Sequence, residues 1–103
     1  MSEIIKDKKG IDLVVMDMRK VGTFTDYFIL CSGTSTRQTQ AIADSIREDF
    51  KKNNVELYGI EGYNQGSWIL MDYIDFIINI FLPETREFYD LERLWEDAEK
   101  LEL

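Results

Sequence analysis

Two apolar runs, Trp68–Met71 and Phe76–Leu82, set the hydropathy pattern of this chain, and only Asp72-Tyr73-Ile74-Asp75 stands between them. That spacing predicts two strands joined by a β-hairpin turn. The second run has Asn79 as its one polar residue, so apolar side chains point to both sides, as in a strand covered on both faces. Pro83 has no N–H to give to a ladder and ends the strand. Beyond it, Phe88, Leu91 and Trp95 stand at i, i+3 and i+7 with Leu94 beside them. This spacing predicts one amphipathic helix that folds back over the sheet.

The rest of the chain supplies further strands and one long helix. Ser2–Lys9 is polar and lysine-rich, and predicts one or two helical turns capped by Ser2. Ile11–Met18 alternates apolar residues on both faces and predicts the first strand. After a loop at Arg19–Thr25, Tyr27–Cys31 predicts a second strand, antiparallel to the first. Ser35 with Gln38 three residues on has the capping-box pattern. Ile42, Ile46 and Phe50, with Ala43, form the apolar stripe of the helix that follows, and Asn53-Asn54 ends it. Val55–Glu61 predicts a short third strand, parallel to the second through a right-handed crossover. Gly62–Gly66 is a turn-rich loop, and from about Glu96 the charged tail is expected to fray. The order is β-β-α-β-β-β-α. It describes an α/β (α+β) domain over residues 1–103, with a mixed sheet of about five strands and helices packed on it. Phe50, Ile78, Ile80, Phe88 and Leu91 are the expected core.

Charge narrows the range of partners. Against 12 Lys and Arg the chain has 20 Asp and Glu, a net charge of −8. Wrapping phosphates calls for the opposite balance, so sequence-specific nucleic-acid binding is not expected. The acidity is greatest from Glu84 to Leu103, which is read first as a solvated helix face and second as a surface offered to a basic protein. There is no apolar run of membrane-spanning length and no secretory pattern, and the single Cys31 fits a reducing compartment. A cytoplasmic protein is the expectation.

Candidate chemistry is sparse. The chain has no histidine, the commonest general base and transition-metal ligand, and no usual zinc set can be made from Cys31 alone. Cys31 without a base reads as a small buried strand residue rather than a nucleophile. Ser32-Gly33-Thr34-Ser35 has the look of a phosphate-holding turn but is better explained as a strand-to-helix turn with a cap. Asp72 and Asp75 flank a turn and do not share one strand face, so they make no metal-binding pair. No catalytic residue, metal or cofactor is therefore assigned. Arg86 has Asp90 as its i, i+4 neighbour. Trp95 reads as core, whereas Trp68 reads equally as a sheet tryptophan or an interface anchor.

Taken together, several blocks resemble the ribosomal silencing factor family, also called the Iojap family. They are Asp12–Asp17, Thr25–Ile29, Ser32–Ser35 with Arg37-Gln38, Ile42–Asp44, Gly62-Tyr63, Trp68–Leu70 with Asp72-Tyr73, and the long ordered block Pro83–Trp95. The resemblance implies a nucleotidyltransferase-like fold without that fold's catalytic residues. It implies a factor that binds the large ribosomal subunit through large-subunit protein fourteen. Such a factor sterically blocks joining with the small subunit and represses translation, catalyses no reaction and tends to form homodimers. On this chain the partner-binding residues would be Trp68, Leu70 and Asp72, with Glu84 and Arg86 as a polar rim. The chain departs from the family pattern with a shorter N-terminal segment, with Ile74 where glycine is usual and with Asn79 where histidine is usual. Ile74 predicts either a different turn geometry or strain. Two other functions stay open on the residues alone: a nucleotidyltransferase-like enzyme, and a homodimeric adaptor with another partner.

Overall fold

A computed structural model describes residues 11–22 and 25–101; the helical turns expected at Ser2–Lys9 lie outside the described residues. Six strands form one mixed sheet: β1 (Ile11–Asp17), β2 (Tyr27–Ser32), β3 (Gly59–Glu61), β4 (Trp68–Asp72), β5 (Phe76–Phe81) and β6 (Glu99–Leu101). Their order across the sheet is β3-β4-β5-β2-β1-β6. The helices are α1 (Thr36–Lys52), α2 (Pro83–Tyr89) and α3 (Leu91–Leu94).

The hairpin predicted at Trp68–Leu82 forms in register, with Trp68 opposite Phe81, Leu70 opposite Asn79 and Asp72 opposite Ile77. Ile74 sits in its turn at φ 72°, a conformation that a β-branched residue adopts only under strain. The turn keeps the glycine-type geometry because Ile74 N–H donates to Asp72 Oδ1 at 2.8 Å and Asp75 N–H to the Tyr73 carbonyl at 2.9 Å. β5 is apolar on both sides and takes the sheet centre, parallel to β2. β1 is the antiparallel neighbour of β2, as the short connection predicts.

The packing bears out one sequence expectation and corrects three. First, β2 and β3 are parallel, as expected, with β5 and β4 lying between them in the sheet. Second, the third strand is only Gly59–Glu61. Val55 N–H turns back to the Phe50 carbonyl, and the chain first bonds to β4 at Tyr58 N–H to the Asp72 carbonyl, 2.9 Å. Third, the expected C-terminal helix is two short ones, broken at Asp90 (φ 48°, ψ 53°). Asp tolerates this left-handed conformation, and the break leaves Phe88 80% exposed instead of in the core. Fourth, the tail does not fray at Glu96. Ala98 is buried and Glu99–Leu101 adds a sixth strand on β1, Met16 opposite Lys100.

α1 begins as its sequence predicts. Ser35 Oγ accepts from Gln38 N–H at 3.1 Å, and Gln38 Oε1 accepts from Thr34 N–H at 2.6 Å. Asn54, at φ 61°, follows its end. Its apolar stripe closes one face of the sheet: Ile42, Ala43 and Ile46 cover Ile29, Cys31, Ile69, Met71, Ile78 and Ile80. Phe50 is half-buried, edge-on to Tyr73 and Phe76. On the other face Met16, Met18, Phe28, Leu30, Ile77 and Phe81 pack under Leu91, Trp95 and Ala98.

Candidate partner-binding surface

β4 separates the two faces residue by residue. Ile69 and Met71 are sealed under α1, whereas Trp68, Leu70 and Asp72 alternate with them and are half-buried on the opposite side. The indole of Trp68 is held in a stack of rings. Its centroid lies 5.0 Å from Phe81 at an interplanar angle of 30°, and 4.7 Å from Tyr89 at 48°. Phe88 then meets Tyr89 edge-on at 5.1 Å. A row of aromatics thus runs from fully buried Phe81, through Trp68 and Tyr89, to exposed Phe88.

The edge of that ring system is oriented by one polar contact. Trp68 Nε1–H donates to Asn79 Oδ1 at 3.0 Å. Asn79 is 2% exposed, and its Nδ2 has no hydrogen-bond partner. Burying an amide half-satisfied is unfavourable, so the bond to the indole is the compensation the site offers. Sequence register extends the face outward. Glu61 on β3 lies opposite Leu70, which lies opposite Asn79, in turn opposite Leu30 of β2. The loop joining β3 to β4 is tied to α1, with Thr39 Oγ1 2.6 Å from the Gly66 carbonyl and Gln40 Nε2 donating to the Tyr63 carbonyl at 2.8 Å. The Tyr63 hydroxyl donates to Asp44 at 2.9 Å, which pushes its phenol pKa up.

Of the five residues named from the sequence, Trp68, Leu70 and Asp72 share one strand face. One Asp72 oxygen is already engaged by the Ile74 N–H. Glu84 is exposed in the first turn of α2, but Arg86 turns inward and its side chain is only 11% exposed. Its Nε meets Glu92 Oε1 at 2.8 Å, and its Nη1 donates to the Asp12 carbonyl at 2.7 Å and to Ser32 Oγ at 3.0 Å. The partner of Arg86 is therefore Glu92, not Asp90, and Arg86 clamps the start of β1, the end of β2 and α3. Sequence reasoning missed Tyr89, Phe88 and Glu61 as parts of this face. Asn79 was legible as the one polar residue of an apolar run; the other three depend on the helix break and on strand register.

Nucleophilic chemistry has little support here. Cys31 is fully buried and burial pushes its thiol up to about 12. Among the described residues no group of three or more Cys, Asp or Glu is placed to hold a metal ion.

The chain folds as a mixed sheet closed by a helix on one side and carrying a half-open aromatic row on the other. Its whole length, residues 1–103, matches the family model described as ribosomal silencing factor during starvation, and the protein belongs to that family. It is similar to ribosomal silencing factor RsfS of Haemophilus influenzae, 41% identical over 90% of this chain and 91% of that one. A crystal structure of a Chromobacterium violaceum protein superposes with a TM-score of 0.88 at 35% identity, covering 92% of this chain and 79% of that one. The mouse protein named mitochondrial assembly of ribosomal large subunit protein 1 is 35% identical over 89% of this chain, which spans 42% of the mouse protein.

Proposed function

We propose that this protein silences translation in the cytoplasm by binding the large ribosomal subunit through its protein fourteen and so blocking the small subunit from joining. It acts as a steric plug and not as an enzyme. The observation that carries this reading is the half-open aromatic row at Trp68, held in place by Asn79 and Phe81 and flanked by carboxylates. A rigid, partly desolvated tryptophan is the kind of side chain on which binding energy concentrates. Acidic neighbours and a net charge of −8 raise the rate of encounter with a basic protein. The name borne by the mouse relative, which refers to large-subunit assembly, supports the choice of subunit. Glu84 extends the acidic rim, whereas Arg86 contributes by tying α2, which carries Phe88 and Tyr89, to α3 and to the ends of β1 and β2. Self-association into a homodimer belongs to the same proposal.

The test is co-sedimentation with separated subunits. The protein should travel with the large subunit alone and lower the yield of joined ribosomes when added first. Travel with neither subunit, or with the small one, would sink the reading. Sedimentation of the free protein checks the homodimer. A rise in melting temperature with magnesium and a nucleotide would point to the enzyme reading instead.

A further inference from the structure

We propose that the cavity at the β3 edge of this face is a subsite for one long basic side chain, lysine or arginine, of the protein partner. The proposal deepens the reading of the Trp68 face as a partner surface and rests on it. The cavity has a volume of about 230 Å3 and is lined by Glu61, Gly62, Trp68 and Leu70. That is room for a single extended side chain and not for a secondary-structure element.

The lining has the chemistry of a basic side chain in reverse. Trp68 and Leu70 offer apolar walls on which methylene groups can lie while the charged head stays near water. Glu61, directly opposite Leu70 in the ladder, puts a carboxylate on the same face. That carboxylate has no ion pair or side-chain hydrogen bond among the described residues, so its charge is free to meet an incoming one. A neutral apolar side chain would bury Glu61 against hydrocarbon with nothing in return. An acidic one would meet like charge from Glu61, from Asp72 on the same face and from a chain of net charge −8.

Gly62 lines the cavity where the backbones of β3 and β4 approach closely. Its φ is 77°, and a Cβ there would fall 2.0 Å from the Trp68 carbonyl oxygen. Only glycine is accommodated, and the wall it forms is bare backbone. One wall of the cavity is therefore fixed by how β3 meets β4, and Glu61, Trp68 and Leu70 complete the lining.

Two measurements on the full chain test the subsite. In the first, N-acetyl-arginine amide, N-acetyl-lysine amide and N-acetyl-norleucine amide are titrated while the Gly62 amide and Trp68 indole N–H resonances are followed. One or both cationic probes should shift them, norleucine amide should not, and Glu61→Gln should reduce the response at least about fivefold. An equal response to norleucine amide, or an unchanged response in Glu61→Gln, overturns the subsite. In the second, Glu61→Gln should weaken large-subunit binding about tenfold and flatten its salt dependence, at an unchanged melting temperature. If wild type and Glu61→Gln bind the large subunit equally, the subsite falls while the function stands. If the wild type does not bind the large subunit yet the cationic probes respond as stated, the function falls while the basic-side-chain preference of the cavity stands.

Discussion

On one side of the sheet Ile69, Met71, Ile78 and Ile80 are sealed beneath Ile42 and Ile46; on the other, their strand neighbours Trp68 and Leu70 stay half-buried and Phe88 and Tyr89 are exposed. The same two strands build both faces. The difference lies in the cover. The closed face has a 17-residue helix with an unbroken apolar stripe. The open face has helices of seven and four residues separated by a left-handed aspartate; with Ala98 they cover Met16, Leu30 and Phe81 but leave Trp68 and Leu70 half-covered. Stability should therefore be concentrated on the first side and binding on the second.

The largest expected effect tests the closed side. Ile80→Ala should lower folding stability by roughly 2–5 kcal/mol, the range for a fully buried isoleucine, while leaving the affinity of the folded fraction unchanged. A loss below about half a kilocalorie per mole in denaturant melts would show that this side is not the stabilising one. Next comes Trp68→Ala on the open side. Large-subunit binding should weaken by about 2 kcal/mol or more, with circular dichroism and cooperative melting retained. Full affinity in a folded variant would move the contact elsewhere, and outright unfolding would mean that Trp68 belongs to the core.

A smaller effect lies at the hairpin joining the strands. Ile74→Gly should stabilise the fold by about 1 kcal/mol, because glycine carries no penalty at φ 72° and Ile74 is 58% exposed. Destabilisation would mean that the isoleucine side chain packs usefully. Smaller still, Phe88→Ala should change stability by no more than about 0.5 kcal/mol, as for an exposed position. A loss of 3 kcal/mol would restore the continuous helix that the i, i+3, i+7 spacing suggests.

The last expectation concerns pH. Arg19 donates to Asp17 at 2.7 and 3.0 Å and holds its carboxyl at about 2, below the ordinary 3.8. The folded state thus binds fewer protons than the unfolded one in that interval. The contribution of the pair is complete above about pH 4 and fades as pH falls toward 2. Acid titration of Asp17→Asn should lack this component; an identical profile would remove Asp17 from it.

Much of the architecture was legible in local pattern. The Ser35–Gln38 cap, the Ile42–Ile46 stripe and the two apolar runs around Asp72–Asp75 carry their own periodicity, and each forms where it is expected. The candidate site was legible only in part. Trp68, Leu70 and Asp72 follow from period-two alternation, whereas the inward turn of Arg86 depends on Asp12, Ser32 and Glu92, which are distant in sequence from one another.

By itself, then, the sequence determined the types of its strongest elements, the β4–β5 pairing, the acidity and the lack of a histidine-based site, because these depend on neighbours along the chain. The tertiary structure decided which strands sit side by side. It put β5 and β4 between β2 and β3, gave Glu99–Leu101 a partner in β1, and broke the last helix at Asp90. The physical reason is that backbone hydrogen bonds and buried area across a sheet are shared by segments far apart in sequence. A weak local pattern, such as the charged tail, takes whatever conformation completes that sharing.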